Sequence, residues 1–391
     1  MNRNLAVFFF SCAALVRAAS AAEPAQESAF TTGRMEAAAP PQGMRGKPIN
    51  LPDISIIGVI DAHLSDDRTD TTKDRLEFRE VEAAFQGFIY PQMRADVFLA
   101  WHKHGTKYEA EICEAKASFL RLAEGLAAEV GKIHVNFGKL NKEHSHHRPM
   151  IDQPQVLTNF LGDHGLVGQG GTASYLFPLP FYLQAEAGFW QAPGHEHEAS
   201  AKTTVVDTNG NTVEVPVYVE SEEYSLADKV YTGRLKTSFA PTPKSELELG
   251  SSLATGHGAH WEEHQDEAKV YGVDLTFKAW PSSYQRWTFQ NEYMHLARKV
   301  PVGRLQRDGF YSFLNYRWNK YWDTGVRFDY AEGAFPTQSI ERGGSVLASY
   351  HFTETTRAMV QYKVRRINGR TVNEGWLQLA FGLGPHSHEL E

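Results

Sequence analysis

The chain has 391 residues, 47 acidic against 39 basic, and a formal net charge of −8. That mild acidity argues against a nucleic-acid partner. No stretch reaches the roughly 18 consecutive apolar residues of a helical membrane span. The mean hydropathy of −0.42 would pass for a soluble protein, a test that a β-barrel escapes because only every second strand residue meets lipid.

The first element reads as an export signal over residues 1–21. Arg3 gives the positive start, Leu5–Val16 the short apolar core, and Ala19-Ser20-Ala21 the small-residue cleavage site. Cys12 follows Phe9-Phe10-Ser11, which are too bulky for a lipoprotein site, so no lipid anchor is expected. After processing, Cys113 is the one remaining thiol and has no partner for an internal disulfide. Residues 22–52, rich in Ala, Pro, Gly and Gln, read as a flexible leader.

From residue 53 to 385 the pattern is two-sided alternation. Around Arg327, for example, Val326, Phe328 and Tyr330 fall on one face and Gly325, Arg327 and Asp329 on the other. Sixteen strands are predicted: 54–64, 76–90, 94–104, 107–120, 127–138, 170–178, 182–190, 229–239, 246–256, 268–280, 286–298, 309–318, 323–331, 344–353, 357–367 and 375–383. In 107–120 the apolar face changes parity between Tyr108, Ala110, Ile112 and Ala115, Ala117, Phe119, which calls for a bulge near Cys113 and Glu114, or for an upper part that stands above the lipid. Short separators such as Tyr90–Met93 and Pro281–Tyr284 alternate with long ones, 139–169, 191–228, 257–267, 299–308 and 332–343. Short turns on one side and long loops on the other mark an outer-membrane barrel with both termini on the periplasmic side. Tyr90, Phe181, Tyr182, Phe239, Trp280, Tyr284, Trp287, Trp318, Tyr321, Trp322, Tyr350 and Phe352 gather beside the short turns, as a headgroup-level girdle would. A soluble β-sandwich also alternates, but its inward charges would be costly. The fold class expected is therefore an all-β transmembrane antiparallel up-and-down barrel, closed by a short periplasmic tail at 386–391.

The inward face carries charge on nearly every strand. Arg94, Arg234, Lys236, Lys278, Arg317, Arg327 and Lys363 face Asp96, Glu186, Glu248, Asp274, Glu292 and Asp329, and all thirteen are expected to line a water-filled pore. The loop 139–169, with His144, His146, His147, Arg148 and Asp152, is the expected constriction loop. Thr203–Val215 reads as a β-hairpin turning at Asn209-Gly210.

Leu51-Pro52-Asp53-Ile54-Ser55-Ile56-Ile57, Gly138-Lys139-Leu140-Asn141-Lys142-Glu143-His144-Ser145-His146, Asp152-Gln153-Pro154, Gly165-Leu166-Val167 and Phe381-Gly382-Leu383-Gly384-Pro385-His386 follow one another in order. Together they resemble a family of Gram-negative outer-membrane porin-like proteins. Its members are mostly uncharacterised, and some are labelled zinc-regulated or TonB-dependent. The resemblance implies a porin-like barrel and suggests zinc. About 30 residues before the first strand leave no room for the plug of a TonB-dependent receptor. The chain ends Leu390-Glu391 without a terminal aromatic, a role left to Phe381.

Histidine is the one chemical signal. The tight groups are His144, His146 and His147; His195 and His197; and His257, His260 and His264 beside Glu262, Glu263 and Asp266. Imidazole with carboxylate suits Zn²⁺, Cu²⁺ or Ni²⁺. The expected form is labile Zn²⁺ capture by His144, His146, His147, His257, His260 and His264 on the outside, with no cofactor required. The functional expectation is passive diffusion of small hydrophilic solutes, with metal ions enriched by the outer loops and three barrels assembling by analogy with other porins. A second reading is a surface metal-binding or adhesion barrel without an open pore. A third, an outer-membrane enzyme, has only Ser145 beside His144 and His146 to suggest it, and no enzyme is expected.

Overall fold

Alternation with period two places one residue set on each face of a strand, and a sheet that closes on itself has no open edge to satisfy in lipid. The computed structural model describes residues 52–68, 70, 73–104, 107–192, 201–206, 212–217, 226–257, 267–300, 303–334 and 340–385. The export signal, almost all of the leader, the tail at 386–391, His195, His197, His260, His264 and the Asn209-Gly210 turn lie outside the described residues.

In chain order the elements are β1 (Asp53–Ser65), β2 (Arg75–Tyr90), β3 (Met93–His104), β4 (Lys107–Ala123), β5 (Leu126–His134), α1 (Gln155–Leu161), β6 (Val167–Leu176), β7 (Tyr182–Ala192), β8 (Ala201–Val206), β9 (Thr212–Val217), β10 (Ala227–Thr242), β11 (Ser245–His257), β12 (Glu267–Ala279), β13 (Arg286–Val300), β14 (Gly303–Arg317), β15 (Trp322–Ala331), β16 (Glu341–His351), β17 (Arg357–Ile367) and β18 (Arg370–Leu383). Sixteen of the strands form one closed antiparallel barrel, and β8 and β9 form a separate two-stranded sheet, the hairpin expected from Thr203–Val215. β1 closes the barrel against β18, with Ile56 opposite Leu383 and Ser65 opposite Glu374. The end where β1 enters and β18 leaves is here called the near end.

The bulge expected in β4 is present. Phe98 pairs with Glu114 and Leu99 with Ile112, which leaves Cys113 as the extra residue. The change of parity along β4 is this one insertion, since a bulge shifts every later side chain to the other face.

Several boundaries differ from the sequence reading. β5 stops at His134 rather than at 138, because the chain leaves the wall there. The stretch 299–308 is not a long loop: Lys299 pairs with Arg304, Leu296 with Arg307 and His295 with Asp308. Its charges read as loop because a strand continuing beyond the lipid needs no apolar exterior. β14 has 15 residues, about 50 Å of strand against an apolar band of about 25 Å. The β17–β18 connection is equally tight, with Asn368 at φ 51° and Gly369 at φ 75°, the two left-handed positions of a type I′ turn. Long and short connections therefore do not alternate as cleanly as the composition suggested.

The exterior is apolar through its middle. Val273, Val326, Val346, Val360 and Leu377 are all exposed there. Large side chains exposed in this way on neighbouring strands suit lipid, whereas a soluble monomer keeps its apolar patches small. At the near end the rings of Trp287, Tyr316 and Trp318 meet in sequence at tilted and edge-on angles, and those of Trp322, Tyr350 and Phe352 meet edge-on. Tyr182 departs from the expected girdle: its hydroxyl donates to Gln184 at 2.6 Å, on the inward face. A second set, Phe189 with Tyr231 and Phe310 with Tyr330, lies toward the far end, so aromatics mark both interfaces.

Candidate functional site

The distinctive feature lies inside the barrel. After His134 the chain turns inward, and residues 135–166 pack inside the barrel against its wall. The neck of this segment is closed by a bond from Val135 N–H to the Leu166 carbonyl at 2.9 Å. The Asn141 side chain pins the same point: its amide donates to the carbonyls of Val135 (2.7 Å) and Leu166 (2.9 Å), and its oxygen accepts from Leu166 N–H (2.7 Å). Buried backbone groups need such partners, and one asparagine supplies three.

The segment is apolar on the side that meets the far half of the wall. α1 buries Val156, Leu157, Phe160 and Leu161. With Phe137, Leu140 and Met150 they join Val270, Met294, Leu296, Tyr311 and Phe313 of the wall in one hydrophobic cluster. The wall is cut to receive them. A Cβ added at Gly309 would stand 2.6 Å from Val156 Cγ2, so only glycine lets the helix approach here.

Charge pairs fix the rest. The Asp152 carboxylate accepts from Arg327 at 2.8 Å, from Lys363 at 3.0 Å and from the Gln361 amide. Arg327 also donates to Asp329 at 2.7 Å, and its side chain is 0 % exposed. Lys139 donates its N–H to Glu292 at 2.5 Å, and its ammonium donates to Glu248 at 3.2 Å. Arg357 donates to the carbonyls of His146 (3.0 Å) and Arg148 (2.9 Å), and Arg79 to that of Ile151 (3.0 Å). Burial opposes the Asp152 charge, yet Arg327 and Lys363 overcome it and hold the carboxyl well below the usual carboxylate range. Burial, with Arg79 close by, draws the Arg148 guanidinium down to about 10.

A second cluster joins the segment to β2, β4 and β5. His144 Nδ1 lies 2.9 Å from Glu82 and its Nε2 3.4 Å from Glu114. Ser145 donates to Glu80 at 2.5 Å. Burial works against charge on His144, but Glu82, with Glu114 on the other ring nitrogen, holds its imidazole well above the ordinary value.

All thirteen residues expected to line the pore belong to barrel strands. Asp96, Arg234, Glu248, Asp274, Lys278, Glu292, Arg327, Asp329 and Lys363 are buried rather than bathed, while Arg94, Glu186, Lys236 and Arg317 are half-buried toward the near half. The expectation that water would make inward charges cheap is thus replaced by pairing, as Arg234 with Asp274 at 3.0 Å illustrates. His144, His146 and Arg148 of the expected constriction loop are buried within the barrel and half-buried Asp152 is paired with its wall, so these histidines are not an external surface. The His147 ring meets that of His146 at a tilt, with centroids 4.4 Å apart. His257 stands apart, 3.7 Å from Asp228.

Sequence reasoning missed Glu80, Glu82, Glu114 and His134 as partners of the histidine segment. The inward parity of β2 and the bulge at Cys113 were the available signals. The spacing of Val156, Leu157, Phe160 and Leu161 also carried an unread helical stripe.

No family model matches the chain. It is 29% identical over 306 residues to an uncharacterized protein of Aquifex aeolicus (strain VF5), a match covering 70% of this chain and 62% of that protein. The chain therefore spans less than two thirds of that relative. Among solved structures it is similar to OmpF of Salmonella typhi in complex with daunomycin (TM-score 0.55, 10% identity, 85% of this chain and 98% of that one). It is also similar to an anion-selective porin from Comamonas acidovorans (TM-score 0.54, 9% identity, 84% and 99%) and to the trimer form of the Vibrio cholerae outer-membrane protein OmpT (TM-score 0.51, 9% identity, 85% and 100%). At such identities the likeness concerns architecture: the fold is the closed sixteen-stranded transmembrane barrel seen in porins.

Proposed function

We propose that the protein is an outer-membrane channel for small hydrophilic solutes, its passage narrowed by residues 135–166. The observation that carries this reading is the segment itself, held inside a sixteen-stranded barrel by Asp152 on Arg327 and Lys363, and by Lys139 on Glu248 and Glu292. Barrels of this strand number enclose an aqueous channel, and an inward segment sets its width. In the same reading the near end faces the periplasm, the export signal delivers the chain, and the loop around His257, His260 and His264 enriches divalent metal ions such as zinc outside. Three barrels associate, as in the trimer form of the Vibrio cholerae neighbour.

The apolar filling around Phe137, Met150, Leu157 and Phe160 favours a second reading, a sealed barrel that displays its outer loops for metal binding or adhesion. Planar-bilayer recordings separate the two. A channel gives discrete conductance steps from pure protein, with a reversal potential that reports selectivity. Absence of any current ends the channel reading. Micromolar zinc shifts conductance if the outer histidines hold metal near the mouth, and replacing His257, His260 and His264 with alanine removes that shift.

A further inference from the structure

We propose that the barrel interior holds one divalent transition-metal ion of the zinc class, bound by Cys113, His144 and Glu82 with His134 completing the set. This centre is distinct from the outer loop histidines and does not depend on whether the barrel conducts.

The bulge in β4 is the first observation. Strict alternation would send Cys113 and Glu114 to opposite faces. The extra residue turns both inward, and β-bulges serve to re-aim side chains in this way. Once inside, the thiol meets an imidazole from another strand, His134 of β5, and shares one donor cluster with His144 of the segment. The His134 Nε2 to Cys113 Sγ distance is 3.7 Å.

The second observation is convergence. One donor atom each from Glu82, Cys113 and His144 lies within 4.8 Å of the others. Donors about 2.0–2.3 Å from a tetrahedral zinc ion sit roughly 3.3–3.8 Å apart. The sulfur–His134 spacing already meets that, and the Glu82, Cys113 and His144 donors need to close in by no more than about 1 Å.

The third is a buried carboxylate oxygen without a hydrogen bond. Glu82 is 1 % exposed, and its Oε1 accepts no hydrogen bond, with His146 Nε2 at 4.0 Å. Glu80 and Glu114 are buried alongside it. Lys116 reaches Glu114 at 3.9 Å but is shared at the same distance with Glu129. His144 is the charged group set among these carboxylates, and a metal ion that displaces its proton takes over that role. A divalent ion answers for Glu82: one thiolate, one carboxylate and two neutral imidazoles with M²⁺ sum to zero charge, while Glu80 accepts from Ser145 and Glu114 from His134 N–H. Binding releases the Cys113 proton and the second ring proton of His144, forms metal–sulfur, metal–nitrogen and metal–oxygen bonds, and transfers no electron. Sulfur selects against Mg²⁺ and Ca²⁺. Because His144 belongs to the segment and the other ligands to wall strands, the ion ties the two together.

The test uses the full-length protein in detergent, stripped by a chelator and titrated with Co²⁺. We expect a sulfur-to-cobalt charge-transfer absorption in the near ultraviolet that saturates at about one ion per barrel. It is lost in Cys113→Ser, and its visible bands change in Glu82→Gln, while His257→Ala leaves it intact. A folded barrel is verified for each variant by its heat-dependent electrophoretic mobility. A second measurement needs no variant: Zn²⁺ protects Cys113 from alkylation by a small iodoacetamide, read on the Cys113 peptide by mass spectrometry. Absence of the charge-transfer band, its persistence in Cys113→Ser, or alkylation unaffected by Zn²⁺ overturns the proposal.

Discussion

Asp152→Ala tests how the inward segment is held. The carboxylate is the shared partner of Arg327 and Lys363, and the Gln361 amide also donates to it. Removing one member of a buried charged set costs about 3–5 kcal/mol when a charge is orphaned. Here each cation keeps a partner, Arg327 with Asp329 at 2.7 Å and Lys363 with Glu341 at 3.8 Å. The lower bound, about 3 kcal/mol, is therefore expected, or about 100-fold in the docking equilibrium of the segment. Two assays report it. Trypsin reaches Lys139 and Lys142, which the docked segment shields, and single-channel records show larger or noisier conductance. Unchanged cleavage and conductance in a barrel that is folded by electrophoretic mobility would refute the idea that this charge set holds the segment. The sign of the pH dependence follows from the depressed carboxyl. Its stabilisation is present above the ordinary carboxylate value of about 4 and is lost as pH falls through the lower folded value. The contribution of Asp152 to docking should thus be constant from neutral pH down to that range and fall only in stronger acid, as the difference in conductance between wild type and Asp152→Ala reports.

The apolar anchor is tested by Phe160→Ala, which removes a fully buried ring and costs about 3–5 kcal/mol; urea titration followed by tryptophan fluorescence should show the loss. Gly309→Val places a side chain where Val156 sits, an overpacking cost of about 1–3 kcal/mol, and should open the segment to trypsin without unfolding the barrel. Val346→Arg puts a charge in the middle of the outer face, opposite Val326. It should destabilise the barrel by about 2–4 kcal/mol in a lipid refolding titration, whereas an unchanged midpoint would place that face outside the hydrocarbon.

The architecture was legible because a barrel wall is a local pattern. Each strand must show lipid one face and the interior the other, so period-two alternation fixes strand number, direction and facing. Even the parity change in β4 marked its bulge correctly. Boundaries failed where the chain leaves the lipid. The stretch 299–308 pairs as strand although its charges read as loop, since above the hydrocarbon the exterior pattern is no longer imposed.

The interior was a different matter. Alternation says that Arg327, Asp329, Glu292 and Lys363 point inward, but nothing local to those strands says what they meet. The answer comes from residues 135–166, which are distant in sequence. Arg327 meets Asp152 across 175 positions and Lys363 meets it across 211. Sequence alone determined the wall, its facing and its inward charge. Tertiary structure decided that the charge is paired rather than solvated, and that His144 lies within the barrel beside Cys113 and Glu82. The physical reason is that facing is set by the backbone pleat, one residue at a time, while partnership depends on where a long segment packs after the barrel has closed.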